Sequence, residues 1–304
     1  MILVTAYEGP DLDGSACAYA YAELLNKTGR KATAGIFGKV HREAQFVFDY
    51  LKLAVPKVTS LKEIGEFVLT DASETLGISK KIDKKKVIEI IDHRKSNDAD
   101  QFENAKVQVE LVGSCATLIT EKFIQVGIEP SRESAILLYL AIISNTVNFK
   151  NSVTDDRDHG AANYLRDLYK IDENLIHQMF LHKSDLSDKT IEELFVEDGY
   201  INIHAGKHFT IFQLEIVGVS EFIAQNYDEI ILELEKVKSN YPKIFFFLSC
   251  IDIEKGENTF VTSDRKAQDF LSKTFAVKFK GNIAKHKGII MRKEIVPRVK
   301  EYLS

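Results

Sequence analysis

The chain has 304 residues, of which 45% are hydrophobic and 28% are charged, with a formal net charge of −5. Its length favours two domains, its acidic balance offers no basic surface for nucleic acid or an anionic membrane, and no apolar run reaches the roughly 18 residues of a membrane span. Three widely spaced cysteines and an N-terminus without a leader pattern predict a cytoplasmic protein with buried thiols.

The first half of the chain alternates short β-rich runs with helical patterns. Strands are predicted at residues 2–5, 32–37, 66–70 and 87–91, and helices at residues 15–27, 41–53, 114–126, 131–143, 156–169 and 172–182. Strands that alternate with helices need crossover connections, which predicts an α/β domain with a mostly parallel sheet. A polar stretch at residues 184–189 predicts a linker, so the first domain is expected to span residues 1–183.

The second half, residues 190–304, predicts a smaller mixed α+β domain. Helices are predicted at residues 191–195, 228–238 and 266–275, and strands at residues 200–204, 208–216, 243–253 and 258–263. A closing segment at residues 288–297 completes the pattern without an assigned secondary structure.

Acidic residues follow three of the predicted strands in the first half. Asp11 and Asp13 come after the first strand, Asp71 ends the third, and Asp92 with His93 ends the fourth. Because ligands of open parallel sheets bind beyond the carboxyl ends of the strands, these side chains are expected to converge. Clustered carboxylates need cations to stay ionised, and oxygen ligands with one imidazole suit Mg²⁺ or Mn²⁺.

An alternative is that each aspartate only caps a helix, since aspartate is a preferred N-cap residue. Asp11 and Asp13 lie two positions apart, so at most one of them is needed as the N-cap of the helix. Ser15 could also take that role. The combination therefore favours a metal site, in which two ions could activate a water and clamp a phosphoryl group.

Six segments, collinear along nearly the whole chain, resemble the motifs of one superfamily. GPDLDGS at residues 9–15, LTDAS at 69–73 and IDHR at 91–94 resemble motifs of the DHH phosphoesterases. VGSCATL at 112–118, AIISNTV at 141–147 and GIIMRKEIVP at 288–297 resemble further motifs of family II (manganese-dependent) inorganic pyrophosphatases. The related prune-type exopolyphosphatases share the sequence Asp-His-Arg.

This resemblance implies a DHH metal domain, a DHH-associated substrate domain, and hydrolysis of pyrophosphate or short polyphosphate by a metal-bridging hydroxide. It implies a cofactor of two Mg²⁺ or Mn²⁺ ions and a small phosphate-containing substrate, and family likeness alone allows a homodimer. The implied metal ligands are Asp11, Asp13, Asp71, His93 and Asn145, with Asp71 as the bridge. The implied catalytic residues are Asp71, Asp92 and Arg94, and the implied substrate-binding residues are Arg94, Lys150, Arg292 and Lys293.

Four positions depart from the pyrophosphatase pattern, one of which is Tyr200, aligned where the family has a phosphate-binding lysine. Tyr7 stands where the family has a metal-binding histidine, Asn145 replaces an aspartate, and Arg94 replaces the second histidine of Asp-His-His. These changes are expected to weaken metal binding and to shift the preference from Mn²⁺ toward Mg²⁺. Two alternatives therefore stay open: a DHH-type phosphodiesterase on short oligonucleotides or cyclic dinucleotides, and a degenerate homologue that binds phosphate or a partner without turnover.

Overall fold

The computed structural model describes residues 1–94, 98–240 and 245–304, apart from the side chains of residues 197, 198, 200, 201 and 293. The chain forms two compact units, Met1–Lys183 and Ser184–Ser304. Within the described residues, no helix is both long enough and apolar enough to cross a membrane.

The first unit is built on a five-stranded, all-parallel sheet. Its strands are β1 (Ile2–Thr5), β2 (Ala32–Ala34), β3 (Glu66–Thr70), β4 (Val87–Asp92) and β5 (Lys106–Val109). The inner strands β1, β3 and β4 carry mostly buried apolar side chains, as expected for a sheet that is covered on both faces. The predicted parallel sheet is confirmed, but the edge strand β5 was not predicted, because its sequence KVQV is largely exposed.

The described part of this unit contains six α-helices: α1 (Leu12–Lys27), α2 (Arg42–Tyr50), α3 (Cys115–Gln125), α4 (Arg132–Asn145), α5 (Asp156–Tyr169) and α6 (Asn174–Lys183). Of these, α1 and α3 pack directly on the sheet. Helix α4 packs against both α1 and α5, and residues 134–144 are buried on every face. A helix that is apolar all round belongs in a core, so α4 is the central helix of the unit.

The order of the strands creates a switch point at the carboxyl ends of β1 and β3. The order is β2-β1-β3-β4-β5, so the chain moves to one side from β1 to β2 and to the other side from β1 to β3. Ligands of doubly wound sheets bind at such a switch point, beyond the carboxyl ends of the strands. The loop after β1 carries Asp11 and Asp13, and Asp71 follows β3 directly.

The second unit contains a mixed sheet of five strands with helices on both faces. Its elements are α7 (Ile191–Asp198), β6 (Tyr200–His204), β7 (Lys207–Ile216), α8 (Val219–Asn240), β8 (Phe245–Asp252), β9 (Glu257–Val261), α9 (Arg265–Phe275), β10 (Ile283–Lys287) and α10 (Arg292–Leu303). Only β7 and β8 are parallel. Along β8, Phe246, Leu248 and Cys250 enter one core cluster and Phe245 and Phe247 the other.

The mixed α+β prediction is confirmed, with three differences in its elements. Helix α8 begins at Val219, earlier than residue 228, and strand β10 was not predicted. The segment at residues 288–297 contains the start of α10, whose continuation is hidden in the sequence by Pro297, a residue that disfavours helix interiors. Part of the predicted strand at 243–253 lies outside the described residues.

Candidate metal centre

Asp13 lies in the first turn of α1, and its buried carboxylate is held by the N-terminus of α3. Oδ1 accepts hydrogen bonds from Ser114 Oγ and Ala116 N, both at 2.9 Å, and Oδ2 accepts one from Cys115 N at 2.8 Å. The N–H groups at a helix N-terminus carry a partial positive charge and favour an anion. The fold therefore fixes this carboxylate in one orientation.

Asp71 combines a strained backbone with an unsatisfied side chain. Its φ of 54° is left-handed, which costs about 1–3 kcal/mol in a non-glycine residue. Its N–H donates to Ile91 O at 2.8 Å, which ties it to the end of β4. Among the described residues, its buried Oδ1 has no hydrogen-bond partner, although His93 Nε2 lies at 3.4 Å and Arg94 Nη2 at 3.6 Å. A buried carboxylate oxygen without a donor is unfavourable, which indicates a cation ligand.

His93 completes a group of three donors with Asp13 and Asp71. Its Nδ1 lies 2.9 Å from Val112 O, so Nδ1 carries the proton of the neutral ring and leaves the Nε2 lone pair for a metal. Nε2 is 3.4 Å from Asp71 Oδ1 and 3.7 Å from Asp13 Oδ2. Ligands with bonds of about 2.1 Å to an octahedral ion lie about 3.0 Å apart, so small inward shifts would close all three donors on one ion.

The charges of these three residues are strongly coupled. Burial raises the pKa of Asp71, and the neighbouring Asp13 carboxylate raises it further. Burial also raises the pKa of Asp13. Burial alone would lower the pKa of His93, but the carboxylates of Asp71 and Asp13 raise it to about 10. Without a metal the site therefore retains protons, which a divalent cation would displace.

Asn145, the last residue of α4, is joined to the same group through its amide nitrogen. Nδ2 donates to Asp13 Oδ2 at 2.8 Å and to Gly113 O at 3.2 Å, and it lies 3.3 Å from His93 Nε2. Two acceptors on the nitrogen fix the orientation of the amide. The side chain must rotate, and give up its bond to Gly113 O, before its oxygen can face an ion.

Tyr7, Asp11 and Arg94 form a second part of the centre, next to Asp71. Asp11 caps α1, with Oδ1 accepting from Gly14 N at 3.0 Å, and Asp11 N donates to the Tyr7 hydroxyl at 2.9 Å. Burial, followed by the carboxylates of Asp11 and Asp71, raises the pKa of Tyr7 well above its usual value. The Arg94 guanidinium lies over the Tyr7 ring, 5.2 Å from the centroid. This part of the centre therefore holds the neutral phenol of Tyr7 and the permanent positive charge of Arg94.

Comparison with known proteins relates this geometry to one enzyme family. The chain is 30% identical to a probable manganese-dependent inorganic pyrophosphatase of Clostridium acetobutylicum, over 98% of this chain and 96% of the relative. It is also 30% identical to the manganese-dependent inorganic pyrophosphatase of Bacillus subtilis, over 97% and 96%. The chain belongs to this family. No protein-family model matches it.

A solved structure supports the same assignment. A Methanococcus jannaschii protein assigned to the family II inorganic pyrophosphatases superposes with a TM-score of 0.71 at 28% identity, covering 99% of both chains. The predicted family and the predicted two-part α/β fold are therefore confirmed. The manganese dependence in the relatives' names also confirms the predicted class of cofactor.

Two further predicted residues, Asp92 and Lys150, also belong to the first unit. Asp92 is buried and accepts hydrogen bonds from Ser73 Oγ and from His93 N, the latter at 2.7 Å. Its Oδ1 lies 3.8 Å from Arg94 Nε. Lys150 is exposed and follows residues 147–149, which all have left-handed φ angles.

Arg292 and Lys293 belong to the second unit. Arg292 is the first residue of α10; its N–H donates to Gln213 Oε1 at 2.6 Å, and its Nη1 lies 3.4 Å from Ile211 O. The side chain of Lys293 lies outside the described residues. The site within the first unit therefore unites Asp11, Asp13, Asp71, Asp92, His93, Arg94 and Asn145.

Sequence reasoning missed the support behind these ligands. Asp158 is fully buried and accepts hydrogen bonds from Gly113 N at 2.8 Å and from the Thr117 hydroxyl at 2.5 Å. A Cβ on Gly113 would lie 2.6 Å from Asp158 Oδ2, so only glycine fits there. This contact anchors the loop that supplies Val112 O to His93. The local pattern of Asp158, a capping box with Asp155, indicates only the start of a helix, whereas its contact with Gly113 spans 45 residues of sequence.

Proposed function

We propose that this chain hydrolyses phosphoanhydrides, either inorganic pyrophosphate or short polyphosphate, with a divalent metal as cofactor. The observation that carries the proposal is the buried, unpartnered Oδ1 of Asp71, which faces His93 Nε2 at 3.4 Å at the switch point of the sheet. The names of the curated relatives assign them inorganic pyrophosphatase activity. Relatives at 30% identity, together with these donors, support the same reaction class here.

Each residue of the centre has a physical role in this reaction. When bound, Mn²⁺ or Mg²⁺ lowers the pKa of a coordinated water and offsets charge on the phosphoryl oxygens. Asp13 and Asp71 supply the negative charge that attracts the ion, and His93 offers Nε2 in the tautomer set by Val112 O. Asp92 accepts the His93 N–H and so positions the imidazole rather than reacting itself.

Phosphate binding falls to the basic side chains. Arg94 stands beside Asp71 with N–H donors that match phosphoryl oxygens, and forked guanidinium donors are well suited to that geometry. Lys150, Arg292 and Lys293 are proposed to add further positive charge to the bound substrate. Charge stabilisation and positioning are the main catalytic contributions in phosphoryl transfer.

The cysteines and the division of the chain bear on its wider setting. The three cysteines are free and buried, which supports a reducing compartment such as the cytoplasm. The division into a metal domain at residues 1–183 and a substrate domain at 190–304, joined at 184–189, stays a prediction. The homodimer also stays a prediction.

Phosphate release from a substrate panel tests the proposal. The purified chain is given pyrophosphate, tripolyphosphate or linear dinucleotides, each with Mg²⁺, Mn²⁺ or Co²⁺. We expect turnover of pyrophosphate or tripolyphosphate and none of the dinucleotides. Turnover of dinucleotides alone would favour the phosphodiesterase alternative. Metal binding without any turnover would favour a degenerate, phosphate-binding homologue.

A further inference from the structure

We propose that the centre binds one divalent ion, held by Asp13, Asp71 and His93, and that the Arg94 guanidinium takes the place of a second ion. This inference deepens the proposed function, since it defines the metal content of the same site. It contradicts the sequence-based expectation of two ions.

The first support comes from the two groups that lie next to a single oxygen atom of Asp71. Asp71 Oδ1 lies 3.4 Å from His93 Nε2 and 3.6 Å from Arg94 Nη2. An oxygen that bridges two ions needs a cation in both directions. Here His93 offers a metal donor, whereas Arg94 already places a permanent positive charge next to the same oxygen.

The second support is the shortage of donors on the Arg94 side. Among the residues that the structure describes, only one group of His, Cys, Asp and Glu donors could hold an ion, and it consists of Asp13, Asp71 and His93. On the Arg94 side, Asp11 Oδ1 accepts the N–H of Gly14, so part of this carboxylate serves to cap helix α1. The Tyr7 hydroxyl accepts the N–H of Asp11, and a phenol is a poorer ligand than an imidazole.

The third support is that Arg94 is held in position by its surroundings. Its guanidinium packs over the Tyr7 ring at 5.2 Å, and its Nε lies 3.8 Å from Asp92 Oδ1. The aromatic face and the carboxylates attract the cation from different directions. An ion placed beside it would meet like-charge repulsion. Tyr7 and Arg94 therefore act together. Tyr7 stands where the family has a metal-binding histidine, and its ring holds the Arg94 guanidinium, whose positive charge takes the place of the second ion.

This arrangement has a chemical consequence. A guanidinium can offset phosphate charge and donate hydrogen bonds, but it cannot lower the pKa of a coordinated water as a divalent ion does. The proposal therefore assigns water activation to the Asp13–Asp71–His93 side and phosphate binding to the Arg94 side. The substrate phosphate would contact the Arg94 guanidinium instead of a second ion.

The test is the metal stoichiometry of the full chain, measured by calorimetric titration with Mn²⁺ and by the EPR spectrum of the bound ion. We expect one Mn²⁺ per chain and the sharp hyperfine pattern of an isolated ion. The double variant Tyr7→His with Arg94→His supplies two imidazoles and removes the fixed charge, so it should bind two ions and give an exchange-broadened spectrum. Tyr7→Phe is the matched control, because it keeps the ring under Arg94 and should still bind one ion.

Two tightly bound Mn²⁺ ions with a coupled spectrum in the unaltered chain would overturn the inference. The stoichiometry and spectrum of the unaltered chain need no variant, so they test the proposal even if the double variant fails to fold. Failure of the inference and failure of the function are distinguishable. Two ions with pyrophosphate hydrolysis would reject the inference alone, and one ion without hydrolysis would reject the function alone.

Discussion

Asp71 is the residue on which the centre depends most, because its left-handed backbone holds an unpartnered carboxylate oxygen between His93 and Arg94. Asp71→Asn keeps the shape of the side chain and removes its charge. We predict a loss of at least ~100-fold in the rate of phosphate release, comparable to the removal of one strong electrostatic stabiliser. Weaker Mn²⁺ binding in calorimetry should accompany it. Full turnover in this variant would show that the catalytic centre lies elsewhere.

Asn145 allows the opposite change at the same site. Its amide nitrogen now donates to Asp13 Oδ2 at 2.8 Å, so Asn145→Asp replaces an attraction by carboxylate repulsion that a cation relieves. We predict Mn²⁺ binding at least ~10-fold tighter, since a charged oxygen ligand replaces an amide. Asn151→Asp, at a nearby buried asparagine, is the control for added charge alone. Unchanged affinity in Asn145→Asp would mean that this position does not face the ion.

At the scale of elements, the ligands are positioned by helix ends and loops rather than by their own local sequence. Asp158, at the start of α5, fastens the Gly113 loop that contacts both His93 and Asp13. Asp158→Asn keeps only one of the two acceptor oxygens that serve the Gly113 N–H and the Thr117 hydroxyl, and it removes the charge. We predict Mn²⁺ binding weakened by about 10-fold, as for other residues that orient metal ligands. Asp156→Asn, exposed on the same turn, should leave the affinity unchanged.

Glu23 joins α1 to the start of α4 and should affect stability rather than metal binding. Burial opposes its charge, but hydrogen bonds from Lys27, Ser131 and Ser134 lower its pKa overall. A lowered folded-state pKa gives stability that is present above the unfolded value of about 4.3 and is lost as the pH falls through the folded pKa.

Glu23→Gln is therefore predicted to destabilise the chain by about 1–3 kcal/mol at pH 7, with a smaller difference from the unaltered chain below about pH 4. Urea unfolding at both pH values measures this. Glu129→Gln, at an exposed position, is the matched control. An equal loss of stability at both pH values would contradict the ionic origin of the effect.

The same elements show what the sequence could and could not predict. The apolar strands β1, β3 and β4 are each followed by acidic residues or histidine. The alternation of strands and helices therefore predicted the parallel sheet, and the positions after the strands predicted the convergence of Asp13, Asp71 and His93. The edge strand β5 and the helix α10 did not, because exposure and Pro297 conceal their periodicity. Long-range partners such as Asp158 could not be found, since a hydrogen bond across 45 residues leaves no local pattern.

At the scale of the whole molecule, the chain consists of two units that each have their own core. The metal donors all come from the first unit, whereas Arg292, proposed to bind phosphate, begins α10 in the second. Metal binding and substrate binding should therefore be separable by mutation.

Arg292→Ala is the variant that tests this separation. We predict a KM for pyrophosphate raised by about 10-fold, as expected for the loss of one charge-assisted contact of about 1.5 kcal/mol, with Mn²⁺ stoichiometry and affinity unchanged. Arg298→Ala removes an exposed guanidinium from the same helix and should leave the KM unaltered. Steady-state phosphate release and calorimetry on the three proteins give both quantities. If Arg292→Ala weakens Mn²⁺ binding, or if both variants raise KM equally, Arg292 does not act as a specific phosphate contact.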